Sequence, residues 1–377
     1  MTPPAADFPS PIGRPASTLD TPALCVDLDL LDANLAAISN TLRAAGKAWR
    51  PAVGSHHVLE IARRALSLGA IGVTVPTIAA AEHFASAGIP DILIRNLIAG
   101  PGKLARVAEL ARTASPIVTI DHFVHAEQLD EACRRAGTRV RVVVEINLGN
   151  HHTGVRPGPD TQQLLRGIRP FRHLDIVGLT GYEGHLLSVP DAAERERLLR
   201  SALQILGDAR DRMRQDAIPC DLITAGAPGA YPLTSRTPEP TELQTGDEIW
   251  GDPFYRDAFG LADLSPALYC LATVVHRGKL ERAVLDCGRT SLGFEQALPR
   301  VARVAGGPTL ADAEITHLGL DQTRLELGPD SADLRIGDTV EVVPGSSRLT
   351  TQLHDQVYAV GRGIVEDVWR IARYRRP

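Results

Sequence analysis

Five histidines and one glycine-bearing turn mark where this chain could do chemistry. In "RPAVGSHHVLEIARRALSLGA", residues 50–70, His56 and His57 stand between a short apolar run and a helical pattern. Val58, Leu59, Ile61, Ala62, Ala65 and Leu66 recur at the spacing of an amphipathic helix, so the pair occupies a strand-to-helix turn. His151 and His152 lie in "NLGNHHTGV", and His185 closes "GYEGH" beside Tyr182 and Glu183. An imidazole at such a turn can exchange a proton near neutral pH or hold a divalent ion. "GAPGA", Gly226 to Ala230, is a turn with two glycines in which Pro228 has no N–H to donate. His122 and His125 in "DHFVHAEQ" read as a helix start with surface histidines, and Asp29 and Asp32 as helix caps.

These turns need a scaffold that brings them to one face. From residue 21 onward short apolar runs alternate with helical patterns: "ALCVDL", "AWRPAV", "IGVTV", "DILIRN", "PIVTID", "RVRVVVEINLG", "LDIVGLTGYEG" and "DLITAG" read as strands. "VRVVVEI" is nearly all apolar, as a strand buried on both faces must be. Eight strand-helix units predict an α/β fold, a (β/α)8 barrel; a doubly wound sheet is the competitor, but no glycine-rich first turn supports it. In a barrel the C-terminal strand ends converge on one mouth. His56 and His57 then follow strand two, His151 and His152 strand six, His185 strand seven and "GAPGA" strand eight. After Tyr231 the texture changes to period-two alternation with Gly/Asp turns, which predicts a β domain. The predicted division is a barrel over 20–240 and a β domain over 241–377, joined by the N-terminal segment 1–19.

Bulk properties exclude several classes. The 377 residues are 44% hydrophobic and 23% charged, with a formal charge of −5. No basic block interleaves with aromatics, so nucleic acid is not an expected partner, and the basic terminus "RIARYRRP" reads as a solvated chain end. The five cysteines (25, 133, 220, 270, 287) never form a C-x-x-C pair, which suits a reducing cytosol rather than a disulfide framework or a Cys-based zinc site. No signal pattern or membrane-length apolar run is visible, so a cytoplasmic protein without membrane partners is expected.

"TPALCVDLDLLDANL", "GYEGHL", "TAGAPGAY", "TELQTGDEIWGD", "AVLDCG", "LRIGDTVEVVP" and "LHDQVYAV" follow one another in an order that resembles the D-threonine aldolase and D-serine dehydratase family. The resemblance covers nearly the whole chain. It implies the alanine racemase-like fold of type III pyridoxal phosphate enzymes, and a homodimer whose barrel mouth faces the partner's β domain, with Arg348 and Asp355 on that wall.

The family's chemistry is not carried over intact. Its R-P-H-x-K-T-H-K motif corresponds to Arg50–His57, which places Gly54 at the Schiff-base lysine, Ala52 at the first histidine and His57 at the second lysine. A glycine supplies no amine, and Lys47 lies before the strand end, so covalent pyridoxal phosphate is not expected. The P-x-H-x-C metal pattern corresponds to "PGSSR", placing Ser346 and Arg348 at the ligand positions, and a guanidinium is no ligand. "N-R-T-G-V" becomes "HHTGV", with His152 in place of a cofactor-contacting arginine, and "G-G-T-G-T" becomes "GAPGA".

Losses at the cofactor and gains of imidazole predict a non-standard family member. It would act on a small amino-acid-like or hydroxy-acid substrate without a Schiff base. His56, His57, His152, Tyr182 and His185 would carry the chemistry, and His56, His152 and His185 would form a divalent metal set with Tyr182 and Glu183 as outer partners. A noncovalent pyridoxal phosphate or phosphate ligand would be held by Gly226, Gly229, Ala230, Tyr231 and Tyr255. Two alternatives stand beside this: a noncovalent pyridoxal phosphate-binding or inactive ligand-binding paralogue, and a pyridoxal phosphate-dependent aldolase or dehydratase with an amine from elsewhere.

Overall fold

The structure, a computed structural model, describes residues 10–374. Strand β1 (Ala23–Asp27) leads into helix α1 (Leu28–Ala44). Strand-helix units then run β2 (Ala48–Trp49), α2 (Leu59–Ser67), β3 (Val73–Val75), α3 (Ile78–Ser86), β4 (Asp91–Ile94) and α4 (Pro101–Leu110). They continue as β5 (Ser115–Ile120), α5 (Phe123–Ala136), β6 (Val140–Glu145), α6 (Pro159–Ile168), β7 (Leu174–Thr180) and α7 (Ala192–Gln215). β8 (Leu222–Ala225), the short α8 (Tyr231–Thr234) and β9 (Glu242–Leu243) complete them.

The eight strands β2 to β9 form one parallel sheet in the order β2-β9-β8-β7-β6-β5-β4-β3. Its two ends meet through an Ala52–Thr74 bridge, the Thr74 amide donating to the Pro51 carbonyl at 2.9 Å and that of Ile71 to Trp49 at 2.9 Å. The sheet is a (β/α)8 barrel, whose body is the compact unit of residues 35–249.

Alternation along the strands builds the interior in layers. Ile92, Ile94, Val118, Ile120, Val142 and Val144 belong to the large core under the helices. The opposite parity, Leu93, Ile117 and Val143 with Val177 and Leu222, forms a separate apolar layer inside the barrel. Below it Arg50 bonds Glu242 at 2.9 Å and Asp91 at 2.8 Å, and Arg141 reaches Asp91 at 2.9 Å. Arg50 and Glu242 are buried and paired, as an interior requires, while Asp91 and Arg141 are partly exposed. Above it the inward register is polar: Arg95, Thr119, Glu145, Thr180, Thr224 and Gln244. The Thr180 hydroxyl donates to the Thr224 carbonyl at 3.0 Å, and Gln244 Nε2 to Thr224 Oγ1 at 3.0 Å.

The second unit comprises the N-terminal part to Asn34, residues 250–258 and 262–372. It contains α9 (Pro253–Phe259, whose last residue falls to the other unit), β10 (Leu268–Lys279), β11 (Arg282–Leu285), β12 (Arg300–Val304), β13 (Ala313–Leu318) and β14 (Thr323–Leu327). β15 (Thr339–Val343), α10 (Ser347–Leu353), β16 (Gln356–Gly361) and β17 (Ile364–Arg370) follow. One nine-stranded sheet runs β13-β14-β11-β10-β1-β16-β17, with β15 paired to β10 and β12 to β15.

Two strands change sides relative to expectation. "ALCVDL" pairs antiparallel with β10 and parallel with β16, so β1 belongs to the β domain. Ala23 to Val26 are buried, and an all-apolar strand looks alike in either setting. The eighth barrel strand is Glu242–Leu243, inside the segment expected to open the β domain. The barrel therefore runs from β2 to β9, not over 20–240. Of segment 1–19, residues 10–19 are described and lie along β17: the Gly13 amide donates to the Val365 carbonyl at 2.8 Å, and that of Ala16 to Gly363 at 2.9 Å. Residues 1–9 and the last three of the basic terminus lie outside the described residues. Among those described, no helix is long and apolar enough to cross a membrane.

Candidate functional site at the barrel mouth

The turn after β2 is a single 3-10 turn, Val53–Ser55. His56 is buried, and its Nδ1 accepts the Val58 amide at 2.9 Å, capping the start of α2. That bond makes His56 a neutral imidazole with its proton on Nε2. Burial, reinforced by His57 beside it, pushes its pKa down to about 3. His57 is buried in the left-handed region (φ 55°), its ring edge-on to Tyr374 with centroids 4.8 Å apart. Gly54 needs no special backbone, and a Cβ there would sit 3.6 Å from Pro76 Cδ, an ordinary contact.

The loop after β6 is tied down by its own polar groups. Asn147 Oδ1 accepts the amides of Gly149 at 2.8 Å and His151 at 3.2 Å. Asp121 Oδ2 accepts the Gly154 amide at 2.9 Å, and Thr153 Oγ1 donates to Glu145 Oε1 at 2.7 Å. His151 and His152 are exposed on this loop. Burial raises the Glu145 pKa, with Asp121 adding to the rise and Thr153 and His152 opposing it. His185, half-buried on the 3-10 turn Gly184–Ser188, approaches the same loop: a Cβ on Gly149 would lie 3.1 Å from its Nε2. Burial lowers its pKa too.

The structure does not gather these histidines into one cluster. Among the described residues, no group of three or more His, Cys, Asp or Glu is placed to hold an ion. His56, His152 and His185 follow three strand ends as expected, but His56 is turned into the core with Nδ1 committed, and His152 lies in solvent. Strand-end position fixes the face of the barrel, not the direction of a side chain.

Glu183 is committed to the neighbouring turn. It is fully buried, and Oε1 accepts the Gly226 amide at 3.1 Å, the Ala227 amide at 3.1 Å and the Thr234 hydroxyl at 3.0 Å. Burial raises its pKa while these donors oppose the rise. Tyr182, its neighbour, is 43% exposed. Further along the loop the Gly229 amide donates to Glu248 at 2.6 Å, and that of Ala230 to the Ala227 carbonyl at 3.0 Å. Burial pushes the Glu248 pKa up to about 7 against its bonds from Thr245 and Gly229. With Pro228 lacking an N–H, every amide from Gly226 to Ala230 is taken by an internal acceptor. The cradle is filled by the protein itself. Tyr231, buried, opens α8, whereas Tyr255 belongs to α9 in the other unit, its hydroxyl 3.4 Å from Gln296 Nε2.

Sequence reading missed the inward polar ring, above all Arg95 and Glu145. Both stand two residues beyond an apolar interior residue, Leu93 and Val143, and that parity was the available signal.

The alanine racemase N-terminal domain model matches residues 26–247, and a serine dehydratase domain model residues 267–360. D-threonine aldolase of Arthrobacter sp. is 32% identical over 97% of this chain and 95% of its own. This chain belongs to the alanine racemase-like family that includes D-threonine aldolase. The 3-hydroxy-D-aspartate aldolase of Paracoccus denitrificans (strain Pd 1222) is 26% identical over the same shares. The crystal structure of D-threonine aldolase from Filomicrobium marinum superposes with a TM-score of 0.88 at 27% identity, covering 97% of this chain and 98% of that one.

Pyridoxal phosphate, the cofactor this fold family implies, needs an amine and a phosphate cradle, and the residues present supply neither. The sequence has three lysines. Lys47 precedes β2, its Nζ bonded to the Pro240 carbonyl at 2.7 Å, while Lys103 on α4 and Lys279 at the end of β10 are exposed. None lies in the turn directly after a barrel strand, Lys103 coming only once α4 has begun. In the β domain Ser346 is buried as the N-cap of α10, accepting the Leu349 amide at 3.4 Å, and Arg348 is exposed.

Proposed function

We propose that this chain binds a small amino-acid-like or hydroxy-carboxylate molecule in the barrel mouth and does not run pyridoxal phosphate-dependent aldol cleavage or dehydration. The observation that carries this reading is the position of the three lysines: none lies in the turn directly after a barrel strand. The filled cradle argues in the same direction, against a cofactor held through its phosphate alone. What the mouth retains is the polar ring above the apolar layer, suited to hydroxyl, ammonium and carboxylate groups. The proposal includes a homodimer, to be checked by sedimentation at micromolar concentration.

The test uses the purified full chain with D-threonine and D-3-hydroxyaspartate, with and without added pyridoxal phosphate. Binding by calorimetry without release of glycine or ammonia is the expected result. Release of glycine or ammonia that depends on pyridoxal phosphate would overturn it. Cofactor-independent turnover would move the reading to an acid–base enzyme centred on Glu145, the ring carboxyl whose pKa burial raises.

A further inference from the structure

Arg95 is the member of the polar ring whose charge no described residue answers. Its amide donates to the Val75 carbonyl at 3.0 Å, continuing β4 by one residue. Two positions earlier, Leu93 lies in the apolar layer inside the barrel with Ile117 and Val143, so Arg95 occupies the next inward position toward the mouth. It is half-buried, and its guanidinium forms no hydrogen bond or ion pair with any described residue. The lower ring shows the contrast. Arg50 and Arg141, on inward positions at the other end of the barrel, are each paired with Asp91, and Arg50 with Glu242 as well.

The surroundings narrow the ligand. The anion cradle after β8, the Gly226–Ala230 turn, is closed by Glu183 and Glu248, so Arg95 is the cationic donor left to the mouth by the inward ring. On the same ring Glu145 offers a carboxyl, and Thr119, Thr180, Thr224 and Gln244 offer neutral polar groups. A planar guanidinium fork matches a carboxylate through two parallel hydrogen bonds.

We infer that Arg95 is the carboxylate-binding residue of the mouth, receiving the α-carboxylate of a small hydroxy or amino acid whose hydroxyl or ammonium turns toward Glu145. This rests on the proposed binding role and deepens it. Arg95 here is a binding residue; no reaction step is assigned to it.

The experiment titrates wild type, Arg95→Gln and Arg95→Lys with acetate, D-threonine and D-threonine amide, with thermal melting as a folding control. Because the guanidinium has no partner among the described residues, Arg95→Gln should melt no lower than wild type. Wild type should prefer D-threonine to its amide. Arg95→Gln should lose acetate and D-threonine binding by at least about tenfold, with Arg95→Lys recovering part of it. Equal binding of D-threonine by wild type and Arg95→Gln would overturn the assignment and leave the binding role standing. Arg95-dependent binding of acetate without D-threonine would support Arg95 and overturn the proposed ligand class. Absence of binding by any of the three probes would overturn both.

Discussion

The Glu183 carboxylate accepts the Ala227 amide at 3.1 Å, and the same oxygen takes the Gly226 amide and the Thr234 hydroxyl. A side chain from the end of one barrel strand thus fills the turn at the end of the next. The arrangement imitates a bound anion with a tethered one, which needs no cofactor to satisfy the turn.

Removing that tether should reopen the cradle. Glu183→Ala leaves three buried donors without an acceptor and should cost about 2–5 kcal/mol of stability. Inorganic phosphate should then raise the melting temperature of the variant and leave wild type unmoved. A wild type stabilised by phosphate as strongly as the variant would contradict this.

Glu248 gives the chain a stability term that falls with pH. Burial raises its pKa from 4.5 to about 7, so between these values the folded chain holds a proton that the unfolded chain releases. The contribution is complete below pH 4.5 and is lost as pH rises through 7. Glu248→Gln removes it. Denaturant titrations should show the variant gaining on wild type by up to about 3 kcal/mol across this window. A difference independent of pH would refute the assignment.

His56 acts with the opposite sign. Its folded pKa is depressed from 6.5 to about 3, so the unfolded chain takes up the proton first. Its contribution is complete above pH 6.5 and is lost as pH falls toward 3. His56→Asn keeps an acceptor for the Val58 amide and removes the titration. Wild type should lose up to about 5 kcal/mol against this variant in acid. If His56 were instead solvated, the two stability curves would run parallel.

Much of this arrangement is legible in the sequence, and the misses have physical causes. The strand-helix alternation is written in apolar periodicity, because each barrel strand is buried on both faces. The partner of a strand is not: "ALCVDL" is as apolar as "VRVVVEI" yet pairs with β10 and β16. Glu242–Leu243 is too short for any periodic signal and is held by neighbours on both sides, β2 and β8. The histidines sit at the turns expected of them. Which way an imidazole faces depends on bonds such as His56 to Val58, which spacing does not encode. The tie between Glu183 and a turn more than forty residues away, and the inward parity of Arg95, become visible only with the strands in register.

Gly54→Lys should fold, since a Cβ at that position meets Pro76 at ordinary distance. It restores an amine at the mouth but not the phosphate cradle. Borohydride after soaking with pyridoxal phosphate should trap only a minor pyridoxyl adduct, increased when Glu183→Ala is added. A full adduct with the single substitution would show that Glu183 does not close the turn.

The proposal that the natural chain runs no Schiff-base chemistry is tested most directly by the same trapping on wild type. The protein is incubated with pyridoxal phosphate and D-threonine, reduced with borohydride, and mapped by peptide mass. No stoichiometric pyridoxyl group is expected on Lys47, Lys103 or Lys279, and no glycine should be released. A stoichiometric adduct on any of the three, accompanied by cleavage of D-threonine, would contradict it.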